Sequence, residues 1–396
     1  MNPRMCGPVQ DFGPGKPELL ADSGESKSAL NLLDLLDSKP GKSLLSTLSR
    51  ELTNDQSERG PHEAPPRSVL REQCEFSEST LPFLNRYSKS YSVMRQADGS
   101  QTFYVPLHGI TSRSIAGDES DEPKYFRSVM EVTVPPNAHN LDQCHFKRGP
   151  RVEVDKAKFL TALNEEIKGS AKLAASEDPL SFFTHGVFTS AGKSDVDAVR
   201  LALLSGVPTV NIDWRSTPGP WYSAAARYAV DHRGAVEQEK SFEPVLDNTL
   251  AQIGENNVAM ISFSRGTAFN AGYMKHRFEN RQTLPQVNAN VLTHPDLFTS
   301  EFKTRENGQN PIAAAGKHTF VLGNPHDRAL MFGGWQIFGD RVGDAEKSDV
   351  EAVTAAGGKY VIDNKQPLSS YTFNHYVDYS TIANMIKTVN RASKGR

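Results

Sequence analysis

The sequence predicts an α/β fold in which a mainly parallel sheet is covered by helices on both faces. From about residue 100 onward, short apolar segments alternate with segments in which apolar residues recur at helical spacing. The apolar segments are nearly continuous rather than strictly alternating, which is typical of strands buried on both faces of a parallel sheet. Regular strand and helix alternation indicates parallel pairing, because parallel neighbours need a crossover connection.

The elements follow from these patterns in chain order. Strands are predicted at residues 101–107, 126–134, 181–184, 208–213, 258–263, 287–293, 318–322 and 360–362. Helices are predicted at residues 156–174, 195–204, 239–253, 267–278 and 380–389. The second strand ends at Pro135 and Pro136, since proline cannot donate to a sheet.

Residues 1–80 have a different composition from the rest of the chain. Proline, glycine, serine and charged residues dominate them, so they bury too little apolar surface to offset the entropy of ordering. We expect a mostly disordered leader, followed at 81–396 by one α/β domain whose first strands lie within 100–135. Within the leader, residues 28–52 contain two leucine-rich helical stretches separated by Pro40-Gly41. They are either transient helices or a docking segment for a partner or a secretion chaperone.

Bulk composition excludes several classes of protein. The formal net charge of −3 gives no electrostatic argument for nucleic-acid binding. Three widely spaced cysteines, Cys6, Cys74 and Cys144, argue against a disulfide framework or a cysteine-based zinc site. No apolar run approaches the ~20 residues that span a bilayer, and no apolar segment of a Sec signal peptide follows Met1.

Ser264 is the candidate nucleophile. It follows a predicted strand and precedes a predicted helix, in the run Ser262-Phe263-Ser264-Arg265-Gly266. A sharp strand-to-helix turn of this kind exposes a serine hydroxyl and requires small residues two positions before and after it. Serine stands at the first of these positions, where glycine is usual. Taken alone, the pentapeptide is also compatible with an ordinary helix cap.

A serine nucleophile needs a base and an orienting carboxylate, in the chain order serine, acid, histidine. Asp327 follows a predicted strand through a loop, and His375 lies between the last strand and the final helix. We predict these two residues as acid and base. Asp296, also at a strand end, is the alternative acid and is otherwise expected to support the surrounding loops. The other downstream histidines are His276, His294, His318 and His326.

The oxyanion hole is predicted at the turn that follows the strand at 181–184. His185-Gly186 ends this strand, and the backbone N–H groups of Val187 and Arg265 are the candidate donors. His185 is expected to support the turn rather than to carry a proton. Four aromatic residues near the expected rim either line an acyl pocket or pack in the core: Trp214, Trp221, Tyr222 and Trp335.

Together these elements resemble a group of uncharacterised bacterial α/β-hydrolases, esterase- or lipase-like and described as a domain of unknown function, from about Phe126 to Val389. The motifs that carry the resemblance, in chain order, are Val132-Thr133-Val134-Pro135-Pro136, Thr184-His185-Gly186-Val187-Phe188, Asp213-Trp214-Arg215-Ser216, Phe263-Ser264-Arg265-Gly266, Thr293-His294-Pro295-Asp296, Pro325-His326-Asp327-Arg328-Ala329-Leu330, Arg341-Val342-Gly343-Asp344 and His375-Tyr376. Phe188 and Arg265 depart from the group's pattern, which leaves the substrate open.

The resemblance implies a serine hydrolase with Ser264, His375 and Asp327 as its triad. It would act on small-molecule or lipid esters through an acyl-enzyme, with no metal ion or organic cofactor. A serine peptidase or acyltransferase on the same triad is an open alternative. So is a non-catalytic binding module that recognises a host or partner protein.

The leader itself resembles those of type III secretion effectors of bacterial pathogens or symbionts. This resemblance implies a virulence-related protein that is made in the bacterial cytoplasm and exported into a host cell. The alternative is a bacterial cytoplasmic enzyme with an N-terminal extension.

Overall fold

The structure is a computed structural model. It describes residues 93–113, 115, 122–138, 141–174, 180–216, 224–281, 283–305, 308–327, 329–330, 340–363, 375, 377 and 379–394. The predicted leader (1–80), including its segment at 28–52, lies outside these residues, as do Trp221, Tyr222 and Trp335. Among the helices formed by the described residues, none has the length and apolar character needed to cross a bilayer.

Strands and helices alternate through most of the described chain. The strands are β1 (Val93–Arg95), β2 (Gln101–Thr111), β3 (Lys124–Val134), β4 (His145–Arg148), β5 (Val152–Glu153), β6 (Leu180–Thr184), β7 (Thr209–Asp213), β8 (Val258–Phe263), β9 (Val287–Thr293), β10 (Gly316–Gly323) and β11 (Lys359–Ile362). The α-helices are α1 (Lys156–Ala174), α2 (Ala191–Ser205), α3 (Ala224–Ile253), α4 (Gly266–Arg281), α5 (Thr299–Lys303), α6 (Pro311–Ala314), α7 (Lys347–Ala355) and α8 (Tyr379–Lys394).

All the described strands belong to one sheet. Its order is β11-β10-β9-β8-β6-β7-β2-β3-β4, with β1 paired to β2 and β5 paired to β3. Neighbours pair in parallel from β11 to β2. The remaining pairs, between β2, β3 and their neighbours, are antiparallel. This mainly parallel sheet with its helices confirms the predicted α/β-hydrolase fold.

Strand β8 contributes to two cores. Along β8, Val258 and Met260 pack in the core shared with α1, α3 and α4. The intervening Ala259 and Ile261 pack in the core shared with α2 and α8. Successive side chains of a strand point to opposite faces, so the continuous apolar run supplies both layers. This explains why the buried strands could be predicted without a polar–apolar alternation.

The sheet order creates a crevice at the carboxyl end of β6. This strand lies between β7 and β8. The chain therefore runs outward from β6 through α2 to β7, and then returns across β6 through α3 to β8. Loops that leave neighbouring strands in opposite directions open a crevice above the sheet, the usual place for a ligand in such folds. The segments that border it are residues 185–189 after β6 and Ser264 after β8.

Several elements were not predicted. The edge strands β4 and β5 are largely exposed and have no apolar pattern that would reveal them. Helix α3 begins at Ala224 rather than at residue 239. Its apolar periodicity is confined to the later turns, where Phe242, Leu246 and Leu250 are buried, so the pattern could mark only that part.

Candidate active site

Ser264 lies on a strained turn between β8 and α4. Its φ angle is +54°, in the left-handed region that non-glycine residues rarely adopt. Local hydrogen bonds fix this conformation: the Ser264 N–H donates to the carbonyl of Thr293 over 3.0 Å. The Ser264 carbonyl accepts the Thr267 hydroxyl at 2.6 Å. The side chain stands at the N-terminus of α4, where the helix dipole favours developing negative charge.

Close backbone approaches explain the small residues around Ser264. A Cβ added at Gly266 would lie 2.4 Å from the carbonyl oxygen of His185, so no larger residue fits there without displacing β6. A Cβ added at Gly186 would lie 2.8 Å from the Cβ of Ser264. Ser262, which stands where glycine is usual, fits as a fully buried residue. The departure from glycine at this position is therefore compatible with the turn.

Asp327 and His375 are in direct contact. The Nδ1–H of His375 donates to Oδ2 of Asp327 over 2.7 Å. The backbone N–H groups of Ala329 and Leu330 donate to the other carboxylate oxygen, at 3.1 and 3.2 Å. The His375 ring lies 4.8 Å from the ring of Phe263, the residue before Ser264. The acid and the base thus meet beside the residue that precedes the strained serine.

Both members of this pair have a shifted pKa. Burial disfavours the charged form of Asp327, but the charge of His375 and two histidine hydrogen bonds outweigh it and lower the Asp327 pKa to about 2. Burial also disfavours the imidazolium of His375, but Asp327 outweighs that effect and raises the pKa of His375. Asp327 therefore stays ionised at neutral pH and favours a proton on His375.

A second histidine shares the same carboxylate oxygen. His294, which follows β9, contacts Oδ2 of Asp327 through Nδ1 at 2.7 Å. It is fully buried. Its φ is +44°, a second strained position next to the site. The sequence offered His294 as one of several candidate histidines, and its pairing with Asp327 was not predicted.

Two buried arginines contact the carboxylate of Asp296. Its carboxylate lies 2.8 Å from a guanidinium nitrogen of Arg265 and 3.3 Å from Nε of Arg341. Arg341 also stacks over the Phe298 ring at 4.1 Å. Asp296 therefore fixes the side chain of the residue after Ser264, while Asp327 is the carboxylate that contacts His375.

The turn after β6 is tied to β7 and β2 by side chains. The Trp214 indole N–H donates to the carbonyl of His185 at 2.8 Å. Arg113 and the Ser216 hydroxyl both donate to the carbonyl of Thr189, at 2.7 and 3.0 Å. Phe188 has a φ of +56°. Val187 follows Gly186, the residue whose Cα approaches Ser264, so its backbone lies at the edge of the same crevice.

Beneath this turn lies a buried network around Asp213. Its carboxylate accepts from Arg113 at 2.8 Å, from Arg151 at 2.5 Å and from Nε2 of His185 at 3.0 Å. Burial disfavours its ionisation, but the two arginines outweigh that and hold the pKa of Asp213 far below its usual range. The His185 ring stacks on Trp214 at 5.4 Å. Trp214 therefore packs in the core rather than lining a pocket.

Much of this network could not be found from the sequence. Arg113 and Arg151 lie in regions with no functional motif, and their partner Asp213 comes from the end of a distant strand. The sequence signals were an aspartate at the end of a predicted parallel strand and its place in the motif Asp213-Trp214-Arg215-Ser216. Asp195, which also pairs with Arg151 at 2.8 Å, lies within a helix and carried no signal at all.

One group of described residues has the spacing of metal ligands. It consists of His294, Asp327 and His375, with ligand atoms within 4.8 Å of one another. However, the two N···O distances of 2.7 Å to Asp327 are hydrogen-bond lengths. Both bonds use an imidazole N–H, so the arrangement is already satisfied as a carboxylate with two imidazole donors.

No family model and no curated protein sequence matches the chain. Several solved structures align with it along most of their length. A thermophilic carboxylesterase cloned from a metagenomic library is 14% identical, with a TM-score of 0.33, and 83% of this chain and 98% of that chain are covered. The esterase of the archaeon Pyrobaculum calidifontis is 15% identical, with a TM-score of 0.34 and coverage of 90% and 98%. A bacterial heroin esterase is 13% identical, with a TM-score of 0.31 and coverage of 81% and 93%.

These similarities are too low to transfer an activity to this chain. The α/β-hydrolase fold is evident in its own strand order and pairing, and the functional conclusion depends on the site residues.

Proposed function

We propose that this chain is a serine hydrolase that cleaves carboxylic esters through Ser264, His375 and Asp327. The observation that carries the proposal is the 2.7 Å contact between Asp327 and His375, with the His375 ring against Phe263, the residue before a serine held at φ +54°. A strained serine and an oriented imidazole in one crevice are the requirements of nucleophilic acyl transfer.

In the proposed mechanism, His375 accepts the Ser264 proton through Nε2. Its Nδ1–H is committed to Asp327, so Nε2 is the nitrogen that acts as the base. The Ser264 oxygen attacks the ester carbonyl and forms a tetrahedral intermediate. His375 then protonates the leaving alcohol, and water, activated by the same imidazole, hydrolyses the acyl-enzyme. Asp327 stabilises the imidazolium in both steps without itself taking the proton.

The negative oxygen of the intermediate would be stabilised by the backbone N–H groups of Val187 and Arg265. Arg265 follows the nucleophile, and its side chain is fixed by Asp296. Val187 belongs to the turn that Trp214 and Arg113 hold in place. Donors that are fixed before reaction act without reorganisation, and the loss of one typically slows an enzyme ~100-fold or more.

A fluorophosphonate probe tests the nucleophile directly. We expect labelling of the full chain and its loss in Ser264→Ala. The matched control is Ser262→Ala, two residues away near the end of β8. The Ser262 hydroxyl is buried and has no hydrogen-bond partner within the described part of the chain, so its removal is expected to leave labelling and folding unchanged. Equal labelling of Ser264→Ala and wild type would exclude Ser264.

The bond cleaved is tested with p-nitrophenyl esters of graded acyl length beside matched anilides. We expect hydrolysis of the esters and a clear optimum in acyl length. Preferential cleavage of the anilides would favour a peptidase, and transfer to an added alcohol would favour an acyltransferase. A well-folded chain that neither reacts with the probe nor cleaves any of these substrates would support the binding module instead.

For the leader, we propose export from the bacterial cytoplasm by a type III system. The support is its composition and the leucine-rich stretches at 28–52. Residues 1–80 fused to a translocation reporter should reach host cells from a secretion-competent strain. A fusion that lacks 28–52 tests the chaperone segment. Equal signals from a strain without the secretion system would contradict export by this route.

A further inference from the structure

The carboxylate of Asp327 has two imidazole partners where the proposed mechanism needs one. His294 and His375 both bond Oδ2 at 2.7 Å through Nδ1. The other oxygen is occupied by the N–H groups of Ala329 and Leu330. Asp327 is fully buried, so these four donors replace the water that an exposed carboxylate would have. The two histidines therefore share one acceptor atom.

His294 is held firmly in this position. Its backbone N–H donates to the carbonyl of Leu322 on the neighbouring strand at 2.7 Å. Its ring lies edge-on to the rings of His375, at 5.7 Å, and Phe263, at 6.1 Å. A buried non-glycine residue at φ +44° is strained, and such strain is retained where the surrounding structure fixes the side chain.

We propose that His294 is a positioning residue. It shares the Asp327 carboxylate with His375 and so limits how strongly this carboxylate stabilises the protonated form of His375. The inference deepens the proposed function, on which it rests. An oxygen that already accepts one strong hydrogen bond is a weaker acceptor for a second. Without His294, Oδ2 of Asp327 would accept a hydrogen bond from His375 without competition from a second imidazole.

Other charges near His375 raise its pKa, as the charge of Asp327 does. Asp296, after β9, and Asp344, in the turn Val342–Asp344, both favour the protonated imidazole. Burial and the charge of Asp327 raise the pKa of Asp344 to about 7. Asp296 is offset by Arg265 and Arg341. From β8 the base meets the uncharged ring of Phe263. Among these neighbours, His294 is the one that competes for Asp327 itself.

Two kinds of variant distinguish the effect of the His294 N–H donor from the effect of the His294 ring. His294→Phe keeps an aromatic ring but removes the N–H, and His294→Ala is the second donor-free variant if the first does not fold. His294→Asn keeps an N–H at about the position of Nδ1, and asparagine tolerates positive φ. We expect the donor-free variants to raise the pKa of His375 by roughly one unit, and the asparagine variant to stay near wild type.

The primary measurement is histidine NMR titration of the ¹⁵N-labelled full chain, with His375→Gln used to assign the resonance. It does not depend on catalysis, so it distinguishes failure of this inference from failure of the proposed function. A His375 pKa that is unchanged or lowered in folded His294→Phe or His294→Ala would overturn the proposal. An asparagine variant that titrates like the donor-free variants would do the same.

The kinetic measurement is the rate of fluorophosphonate labelling as a function of pH. Because labelling needs neutral His375, the acid limb should move upward about one pH unit in the donor-free variants, a roughly tenfold loss on that limb. The rate on the high-pH plateau should change much less. A uniform loss at every pH would indicate a merely structural role for His294 and overturn the proposal.

Discussion

Two buried aspartates at the carboxyl edge of the sheet have similar positions and opposite electrostatic surroundings. Asp213 ends β7 and Asp327 follows β10, both are fully buried, and each bonds a histidine. Asp213 also bonds two arginines, Arg113 and Arg151. Asp327 is bonded by histidines and backbone N–H groups.

The difference separates a structural ion cluster from a site that can handle a proton. Arginine stays protonated at any physiological pH, so the charges around Asp213 are permanent. Histidine gains and loses its proton near neutrality, so the charge beside Asp327 can change during a reaction. The first cluster holds the turn that borders the crevice, and the second is suited to catalysis. The same substitution at the two aspartates should therefore have different consequences.

The largest expected effect is on activity, in Asp327→Asn. The amide cannot stabilise the imidazolium and favours the wrong tautomer of His375, so ester hydrolysis should fall about 10⁴-fold. The folded structure should persist, because the amide oxygen still accepts hydrogen bonds. Steady-state kinetics and near-UV circular dichroism check the two parts. Retention of more than a tenth of the activity would return the acid role to Asp296.

Asp213→Asn should instead destabilise the fold. It leaves Arg113 and Arg151 without part of their countercharge, and breaking a buried pair in this way costs about 3–5 kcal/mol. Urea unfolding should show a large drop in the free energy of unfolding. The fraction that remains folded should still label with the fluorophosphonate probe. A stable Asp213→Asn protein with a 10⁴-fold loss of activity would break the distinction between the two aspartates.

Gly186→Ala tests how tightly the turn above Asp213 faces the nucleophile. The added Cβ would lie 2.8 Å from Cβ of Ser264 and 3.2 Å from its hydroxyl oxygen, so the turn or the serine must shift. We expect the labelling rate to fall roughly 10- to 100-fold, as for a disturbed oxyanion donor. Gly192→Ala is the control, since its added Cβ meets nothing within 4 Å. Equal labelling rates in the two variants would show that the turn at Gly186 does not border the reacting carbonyl.

The smallest effects are those of pH. The raised pKa of His375 places the acid limb of hydrolysis above its ordinary value of 6.5, with activity rising as the base loses its proton. Asp327, with its pKa lowered to about 2, contributes stability that is present above its unfolded pKa near 4 and is lost as pH falls towards 2. Unfolding measured from pH 5 to pH 2 should show this loss in wild type and less of it in Asp327→Asn.

Most of the fold could be predicted from the sequence because the signals are local. The strand of β8 and the start of α4 are marked by an apolar run and by the small residues Ser262 and Gly266. The edge strands β4 and β5 lack such marks, because half-exposed strands have no continuous apolar run. The central strands were sufficient to predict the fold class, whereas the edge strands β4 and β5 were missed.

The site residues also divide into those with a local sequence signal and those without one. Chain order suggested Ser264, Asp327 and His375, since each follows a strand or precedes a helix. The partners of Asp213 and the second imidazole on Asp327 come from side chains that meet only in the folded sheet. Arg151 and Asp213 are 62 positions apart, and His294 and Asp327 are 33 apart. Neither pairing belongs to the chain order of serine, acid and histidine, so no motif in a single sequence indicates it.

The position of His375 also has a consequence for biosynthesis. It lies just before α8, which packs on α2, and the Tyr379 hydroxyl donates to Asp197 of that helix at 2.6 Å. A chain under synthesis therefore contains Ser264 and Asp327 before it contains His375. Under the proposed function, hydrolysis should begin only after α8 has docked on α2 and fixed the position of His375.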